Sequence, residues 1–337
     1  MNNYIWDNRK LEPVLITYNR SAELHQTLEA FINAGLTDIN LHVLDNASTD
    51  NTKSVVIEAQ KNWPNLTYNC NPHNIGGNGN ILRAVEITSS EYSWIIGDDD
   101  AWHLKDIGEL LGTLNDGEAD IIRLGWLVST SSRGKKLSAL ELAQKESFLF
   151  SSMSMISATI IRRSIITPHL PHAYMGACDA YPQLVPILRA ITRTPLIIYT
   201  LKQDLMTHTP STIPGYYLGD LEWSCSWFRM SRFIECTRLR KLFVGEVTRY
   251  LSRNNPGKVN QFITLVKTAL IFKSLGVSQW PYLFSMIAFG KGWSMRIGFL
   301  ILIYALLPMK IAVLLRKYYM RIKQKNDKGL QFDRTRL

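Results

Sequence analysis

Asp98, Asp99 and Asp100 stand in a row where the apolar run Tyr92–Gly97 ends, in the stretch SWIIGDDDAW. Adjacent carboxylates repel one another, and each costs free energy when taken out of water unpaired. One or two acidic side chains at a helix start are answered by the helix dipole and by free backbone N–H groups. Three exceed that need. Oxygen ligands in such a group suit a hard divalent cation, Mg²⁺ or Mn²⁺. Mg²⁺ typically takes one or two carboxylates and fills its shell with phosphate oxygens.

Three more polar clusters share this character. Thr17-Tyr18-Asn19-Arg20 closes the apolar run PVLIT. Asp45-Asn46-Ala47-Ser48-Thr49-Asp50 follows INLHVL. Asp45 and Asn46 read equally as a turn that bonds its own backbone or as an acceptor and donor for a nucleobase edge. The stretch NIGGNGN, residues 74–80, reads as a flexible turn or as a loop whose glycines let backbone N–H groups approach a ligand. It is not GxGxxG, which disfavours a nicotinamide dehydrogenase.

These clusters need a scaffold that brings them together. Residues 13–17, 39–44, 66–70, 92–97 and 120–128 read as strands. Residues 22–35, 48–63, 80–88 and 103–115 read as helices, the first with Leu24, Leu28, Phe31 and Ile32 on one face and Gly35 as its stop. Strands alternating with helices imply βαβ units and a mostly parallel α/β sheet, with ligands beyond the carboxyl ends of the strands. All four clusters fall at such ends, on the rim of one crevice. Residues 147–190 are less regular, and PLIIYTL at 195–201 reads as a further strand.

The 337 residues leave room for about two domains. The net charge of +10 is unevenly spread: residues 1–227 carry 17 Lys+Arg against 24 Asp+Glu, and residues 228–337 carry 21 against 4. The expected division is a catalytic domain at 1–215 and a helical, basic C-terminal region at 216–337. The four cysteines lie far apart without metal-type spacing, which points to a reducing compartment. The first residues, MNNYIWDNRKLEP, show no apolar core of a secretory signal.

In order and spacing, TYNR, DNASTD, NIGGNG and DDD resemble the family 2 glycosyltransferases of the GT-A fold. The resemblance is close over residues 13–125 and looser to 210. In detail it is to bacterial sugar transferases of the abequosyl-, rhamnosyl- and galactofuranosyltransferase type, which build O-antigen or capsular polysaccharide. It implies an inverting, metal-dependent transfer from a nucleotide-diphosphate sugar. Thr17, Asn19 and Arg20 would line the nucleotide pocket, Asp45 would contact the base, and Asn74 and Gly76 would sit near the ribose or donor sugar. Asp98 and Asp100 would hold Mn²⁺ or Mg²⁺ on the diphosphate, with Asp99 facing the ribose or lying behind the metal ligands. The family's catalytic base has its nearest match in Asp179 of MGACDAYPQL, although the acidic pair usual there is absent and Asp179 reads equally as a helix cap. His208 fits the place of a further metal ligand and reads equally as a structural histidine.

The tail invites a second partner. IGFLILIYALLPM at 297–309 and SLGVSQWPYLFSMIAFG at 274–290 fall short of the roughly 20 apolar residues a spanning helix needs. They read as packed core helices or as helices lying on a bilayer, with Lys310, Arg316, Lys317, Arg321, Lys323 and Lys325 on anionic lipid. Trp280, Tyr282, Trp293, Tyr304, Tyr318 and Tyr319 suit an interface. The expectation is peripheral attachment at the cytoplasmic face of the bacterial inner membrane, near a lipid-linked oligosaccharide acceptor. No zinc finger or nucleic-acid recognition motif accompanies the charge, so no nucleic acid is expected. Trp223 and Trp227 would stack on an acceptor sugar or belong to the core. Two other classes compete: a sugar nucleotidyltransferase, which would carry a glycine-rich basic loop after the first strand where TYNRSAEL has no glycine, and a non-catalytic membrane-bound scaffold.

Overall fold

Tyr92–Gly97 is buried along its whole length because it lies inside a sheet with neighbours on both edges. The computed structural model describes residues 5–177, 179, 181–209, 226–227, 229–254, 273–274 and 306–322. The chain divides into compact units Met1–Ser211 and Thr212–Leu337.

In the first unit the strands are β1 (Leu11–Thr17), β2 (Leu41–Asp45), β3 (Leu66–Cys70), β4 (Tyr92–Gly97), β5 (Ala101–Trp102), β6 (Ile121–Arg123), β7 (Lys135–Ser138), β8 (Thr159–Arg162), β9 (Ile197–Thr200) and β10 (Met206–Thr207). Eight of them form one sheet in the order β3-β2-β1-β4-β8-β6-β9-β7, and β5 and β10 form a separate two-stranded ribbon. β1 to β4 run parallel, with Leu15 opposite Val43 on one side and Ile96 on the other. β8 is antiparallel to both β4 and β6, so β4 and β6 point the same way and their carboxyl ends share an edge.

The helices that cover the sheet follow from their apolar spacing. Helix α1 (Ser21–Asn33) buries Leu24, Thr27, Leu28 and Phe31 on one face. Gly35, with φ of 72°, takes the chain out of it. The Phe31 ring meets Trp63 at 6.1 Å, Trp94 at 6.3 Å and Trp102 at 5.7 Å between centroids. Such tilted and offset pairs add to the area burial of large rings. Helices α2 (Thr52–Gln60), α3 (Gly77–Ile87) and α4 (Gly108–Asp116) complete the alternation.

Two expectations are corrected here. The strand predicted over 120–128 ends at Arg123, because the chain enters a left-handed turn: φ is 145° at Gly125, 56° at Trp126 and 55° at Leu127. Glycine is required there, since a Cβ on residue 125 would fall 2.6 Å from Asp204 Oδ1. The helix predicted over 103–115 begins at Gly108, after a 3-10 turn at Leu104–Asp106. Asp98–Asp100 therefore precede β5 rather than opening a helix, and capping does not account for them.

In the second unit, the helix Thr237–Asn254 buries Leu239, Phe243 and Val244. The Trp227 ring stacks on Phe243 at 4.5 Å, and its Nε1 donates to Phe243 O at 3.0 Å. Trp227 is thus a core residue of this unit and not an acceptor platform, while Trp223 lies outside the described residues. The helix Met309–Ile322 is the other long described element. None of the described helices is long and apolar enough to cross a membrane. Residues 275–305 and 323–337, which carry the expected interfacial aromatics up to Tyr304 and the basic Lys323 and Lys325, lie outside the described residues.

Candidate active site

The carboxyl edge of the sheet gathers the expected residues through hydrogen bonds between loops. The loop after β1 holds the loop after β2: Ser48 Oγ accepts from Asn19 N at 2.8 Å, and Asn19 Oδ1 accepts from Thr49 N at 2.7 Å. Asn19 and Ala47 sit at φ of 50° and 64°. Together with Trp126 and Leu127 they are the four non-glycine residues at positive φ among the described residues, and all lie beyond the carboxyl ends of sheet strands. Left-handed backbone at residues with a side chain is strained, and such strain gathers at functional sites.

Asp45 is expected to meet a base, and the structure turns it inward. It is 1% exposed. Its Oδ1 accepts from Ser48 N at 2.9 Å and from Ser48 Oγ at 2.5 Å, and its Oδ2 accepts from Tyr68 Oη at 2.6 Å. Burial, then the bond to Asp45, raises the Tyr68 phenol above its ordinary range, so Tyr68 stays a donor. A base contact at Asp45 would require one of these partners to yield.

The loop after β3 is built by asparagines. Asn74 Oδ1 accepts from Asn46 Nδ2 and from Gly76 N, both at 2.8 Å. Asn46 Oδ1 accepts from Ile75 N and Asn71 Nδ2, and Asn71 Nδ2 also donates to Asn80 Oδ1 at 2.9 Å. The loop opens α3 with Gly76 at φ of 78°. Asn78, not singled out from the sequence, donates through Nδ2 to Ala177 O at 2.8 Å and Asp179 O at 2.5 Å. The buried Asp179 is thereby tied to the glycine loop, 101 residues away.

Thr17, Arg20 and the aspartates form the centre. Asp98, 4% exposed, accepts from Thr17 Oγ1 at 2.7 Å and from Arg20 Nη1 at 3.2 Å. Arg20 Nη1 also donates to Asp99 Oδ2 at 2.5 Å, and Thr27 Oγ1 donates to Asp98 O at 3.0 Å. Burial pushes the Asp98 carboxyl up to about 6, against the opposing pull of Thr17 and Arg20. Ser157, which carries no sequence signal, is fully buried and accepts from Gly97 N at 2.9 Å.

Asp100 points the other way. The ribbon of β5 and β10 sets Trp102 opposite Met206 and Ala101 opposite Thr207. His208 follows directly, its Nδ1 3.1 Å from Asp100 Oδ1. Burial raises the Asp100 carboxyl, with Ser157 and His208 opposing. Asp100 Oδ2 is buried without a hydrogen-bond partner, while the His208 side chain is 34% exposed. A carboxylate oxygen left over inside the protein beside a part-exposed imidazole suits a divalent cation whose other ligands come from substrate phosphates. Among the described residues no three His, Cys, Asp or Glu side chains converge as a metal site. Asp98, the third expected ligand, is turned to Thr17 and Arg20.

A mostly parallel sheet carrying these loops on its carboxyl edge, where open α/β sheets bind ligands, matches the GT-A fold expected from the sequence. The chain is similar in fold to S. aureus TarS 1-349, at TM-score 0.57 and 13% identity over 85% of this chain and 88% of that one. The same protein in complex with UDP-GlcNAc matches at TM-score 0.52, with the same identity and coverage. Residues 14–173 match the family described as Glycosyl transferase family 2, and this stretch is a family 2 glycosyltransferase domain. Among curated relatives, abequosyltransferase RfbV of Salmonella typhimurium is 36% identical over 108 residues, 31% of this chain and 32% of that protein. The GalNAc(5)-diNAcBac-PP-undecaprenol beta-1,3-glucosyltransferase of Campylobacter jejuni is 27% identical over 163 residues, 47% of this chain and 53% of that protein. The chain thus spans about a third and about half of the lengths of these two relatives.

Proposed function

We propose that the protein transfers a sugar from a nucleoside-diphosphate sugar to a lipid-linked glycan acceptor during synthesis of a bacterial surface polysaccharide, O-antigen or capsule, with inversion at the anomeric carbon. The observation that carries this reading is the meeting of four strand-end clusters on one sheet edge, centred on Asp98–Asp100. The names of the two curated relatives, one an abequosyltransferase and one acting on a PP-undecaprenol-linked glycan, support the acceptor class and the polysaccharide context. The TarS complex with UDP-GlcNAc supports a nucleotide-sugar donor.

The chain's own residues would act as follows. Arg20, part-exposed beside Asp98 and Asp99, would exchange a carboxylate for a phosphate oxygen, both of which suit its guanidinium. Asp100 and His208, with Asp98 if it releases Arg20, would hold Mn²⁺ or Mg²⁺. When bound, such a cation neutralises negative charge on a diphosphate leaving group. Asp179 would take the proton of the acceptor hydroxyl as its oxygen bonds to the anomeric carbon and the bond from that carbon to the diphosphate breaks. Asn78 would fix the backbone of Asp179. The logic is that of an inverting glycosidase with a sugar hydroxyl in place of water.

We extend the proposal to an anionic membrane surface at the cytoplasmic face of the inner membrane. The helix Met309–Ile322 exposes Ile311, Leu314, Leu315 and Tyr318 at i, i+3, i+4 and i+7, with Lys310, Lys317 and Arg321 also exposed. This pattern suits a helix lying in a bilayer interface.

Thermal-shift measurements on the full chain with UDP, GDP, CDP and dTDP, each with and without Mn²⁺, test the site. One diphosphate is expected to raise Tm, and more so with Mn²⁺. Well-folded protein that responds to none of the four would sink the reading.

A further inference from the structure

We infer that Trp126 forms the aromatic wall of the subsite that receives the donor's sugar. The inference rests on the proposed transfer reaction and names a residue for it.

The argument begins with the backbone. Trp126 and Leu127 hold left-handed φ values in succession, directly after Gly125 at 145°. Bulky residues avoid this region, so the turn persists only because its surroundings impose it. Those surroundings are visible. Leu124 N donates to Ala158 O and Leu205 N donates to Leu124 O, each at 2.9 Å. Gly125 lies against Asp204, and Arg133 Nη2 bonds Asp204 Oδ1 at 2.6 Å. The turn is therefore pinned to the segment that ends in His208.

The strained turn delivers the Trp126 ring to the site. Its centroid lies 5.8 Å from that of His208, with the planes at 72°. His208 in turn contacts Asp100. Trp126 is unlike Trp63 and Trp94 of the same unit. Trp63 and Trp94 are fully buried, and their Nε1 atoms donate to Ile39 O and Ser157 O. Trp126 packs on the core but keeps part of its surface in solvent, beside the half-exposed Leu127.

Its place along the sheet edge selects the ligand portion. In the order β3-β2-β1-β4-β8-β6, the Asn74 and Asp45 loops lie on one side of β4, and the turn after β6 lies on the other. A donor laid along this edge with its base toward β2 and β3 and its diphosphate at β4 carries its sugar toward β6. A hexose presents C–H groups on its ring faces and hydroxyls around its rim. An indole meets the former through its electron-rich face, and polar neighbours meet the latter.

The test uses the full chain and two substitutions that remove the ring, Trp126→Ala and Trp126→Leu, the second keeping apolar volume so that packing survives, with Trp126→Phe as a third that keeps an aromatic face. Calorimetry compares each diphosphate with its sugar: UDP with UDP-glucose, GDP with GDP-mannose, CDP with CDP-glucose and dTDP with dTDP-rhamnose. For the pair that binds wild type, both substitutions are expected to weaken the nucleotide sugar about fivefold. The bare diphosphate should stay within about twofold, which also reports that the site is folded, and Trp126→Phe should recover most of the loss. Equal weakening of both ligands, or unchanged sugar affinity in Trp126→Leu, overturns the inference. So does a rise in acceptor KM with donor affinity intact. Wild type that binds neither member of any pair overturns the transfer reading itself, and a wild type that binds diphosphates while ignoring the sugar overturns the subsite alone.

Discussion

At the scale of single residues, the site holds charge where water cannot reach it. Asp98 titrates near 6 in the fold because burial outweighs Thr17 and Arg20, whereas an unfolded aspartate titrates near 4. The folded state therefore binds more protons between these values, and its stability falls as pH rises through that window. The stabilising contribution is complete below about pH 4 and gone above about pH 6, a span on the order of 3 kcal/mol. In metal-free buffer, Asp98→Asn is expected to melt above wild type at pH 8, with the gap closing toward pH 4; parallel melting curves at all pH values would contradict this. Asp179 calls for a different measurement. Asp179→Asn is expected to abolish sugar transfer while nucleotide affinity is kept, and unchanged turnover would place the base elsewhere. Not every role at this scale was legible in sequence. The three aspartates stood out by their number, but the division among them did not, because it depends on Arg20 and His208, which are 78 and 108 residues away from their partners. Ser157 stands outside every motif and Asn78 lies within NIGGNGN without a role of its own, and only the folded chain gives them Gly97 and Asp179 as partners.

At the scale of elements, apolar periodicity set most of the first unit. β3 and β4 span the residues read as strands from the sequence, and Leu24, Leu28 and Phe31 face inward from α1 as their spacing requires. β6 is shorter than its apolar run because the approach of Gly125 to Asp204 is a tertiary fact. β6 also carries a charge into the sheet. Arg123 Nη2 lies 2.8 Å from Glu146 Oε2, with both side chains almost wholly buried. Thr159 and Thr200 sit opposite Arg123 on the two neighbouring strands. Removing one member leaves the other charged and unsolvated. Glu146→Ala is expected to cost about 3–5 kcal/mol in urea unfolding. The double change Arg123→Met with Glu146→Leu should cost clearly less, and equal losses would mean that the charge is not what matters.

At the scale of the whole chain, composition divided an acidic half from a basic one, and the described helices of the second unit give the basic half a surface. Reversing Lys310, Lys317 and Arg321 to Glu is expected to release the full-length protein from phosphatidylglycerol vesicles in sedimentation. Binding to uncharged phosphatidylcholine vesicles should stay weak throughout. Retention of the triple variant on the anionic vesicles would remove this helix from the membrane proposal. The two-residue ribbon of β5 and β10 has its own reach across the chain. It joins residue 101 to residue 207, and through it Asp100 meets His208. Contacts between such distant residues are among the slower ones to form, since a long loop must close first. On the ribosome, the side of the crevice built by β1 to β4 is complete in sequence once β4 has been made, yet the side facing His208 waits until about another hundred residues have emerged. A nascent chain therefore lacks the pair of Asp100 and His208 until the ribbon forms, after the last strand of the main sheet, β9, has been made.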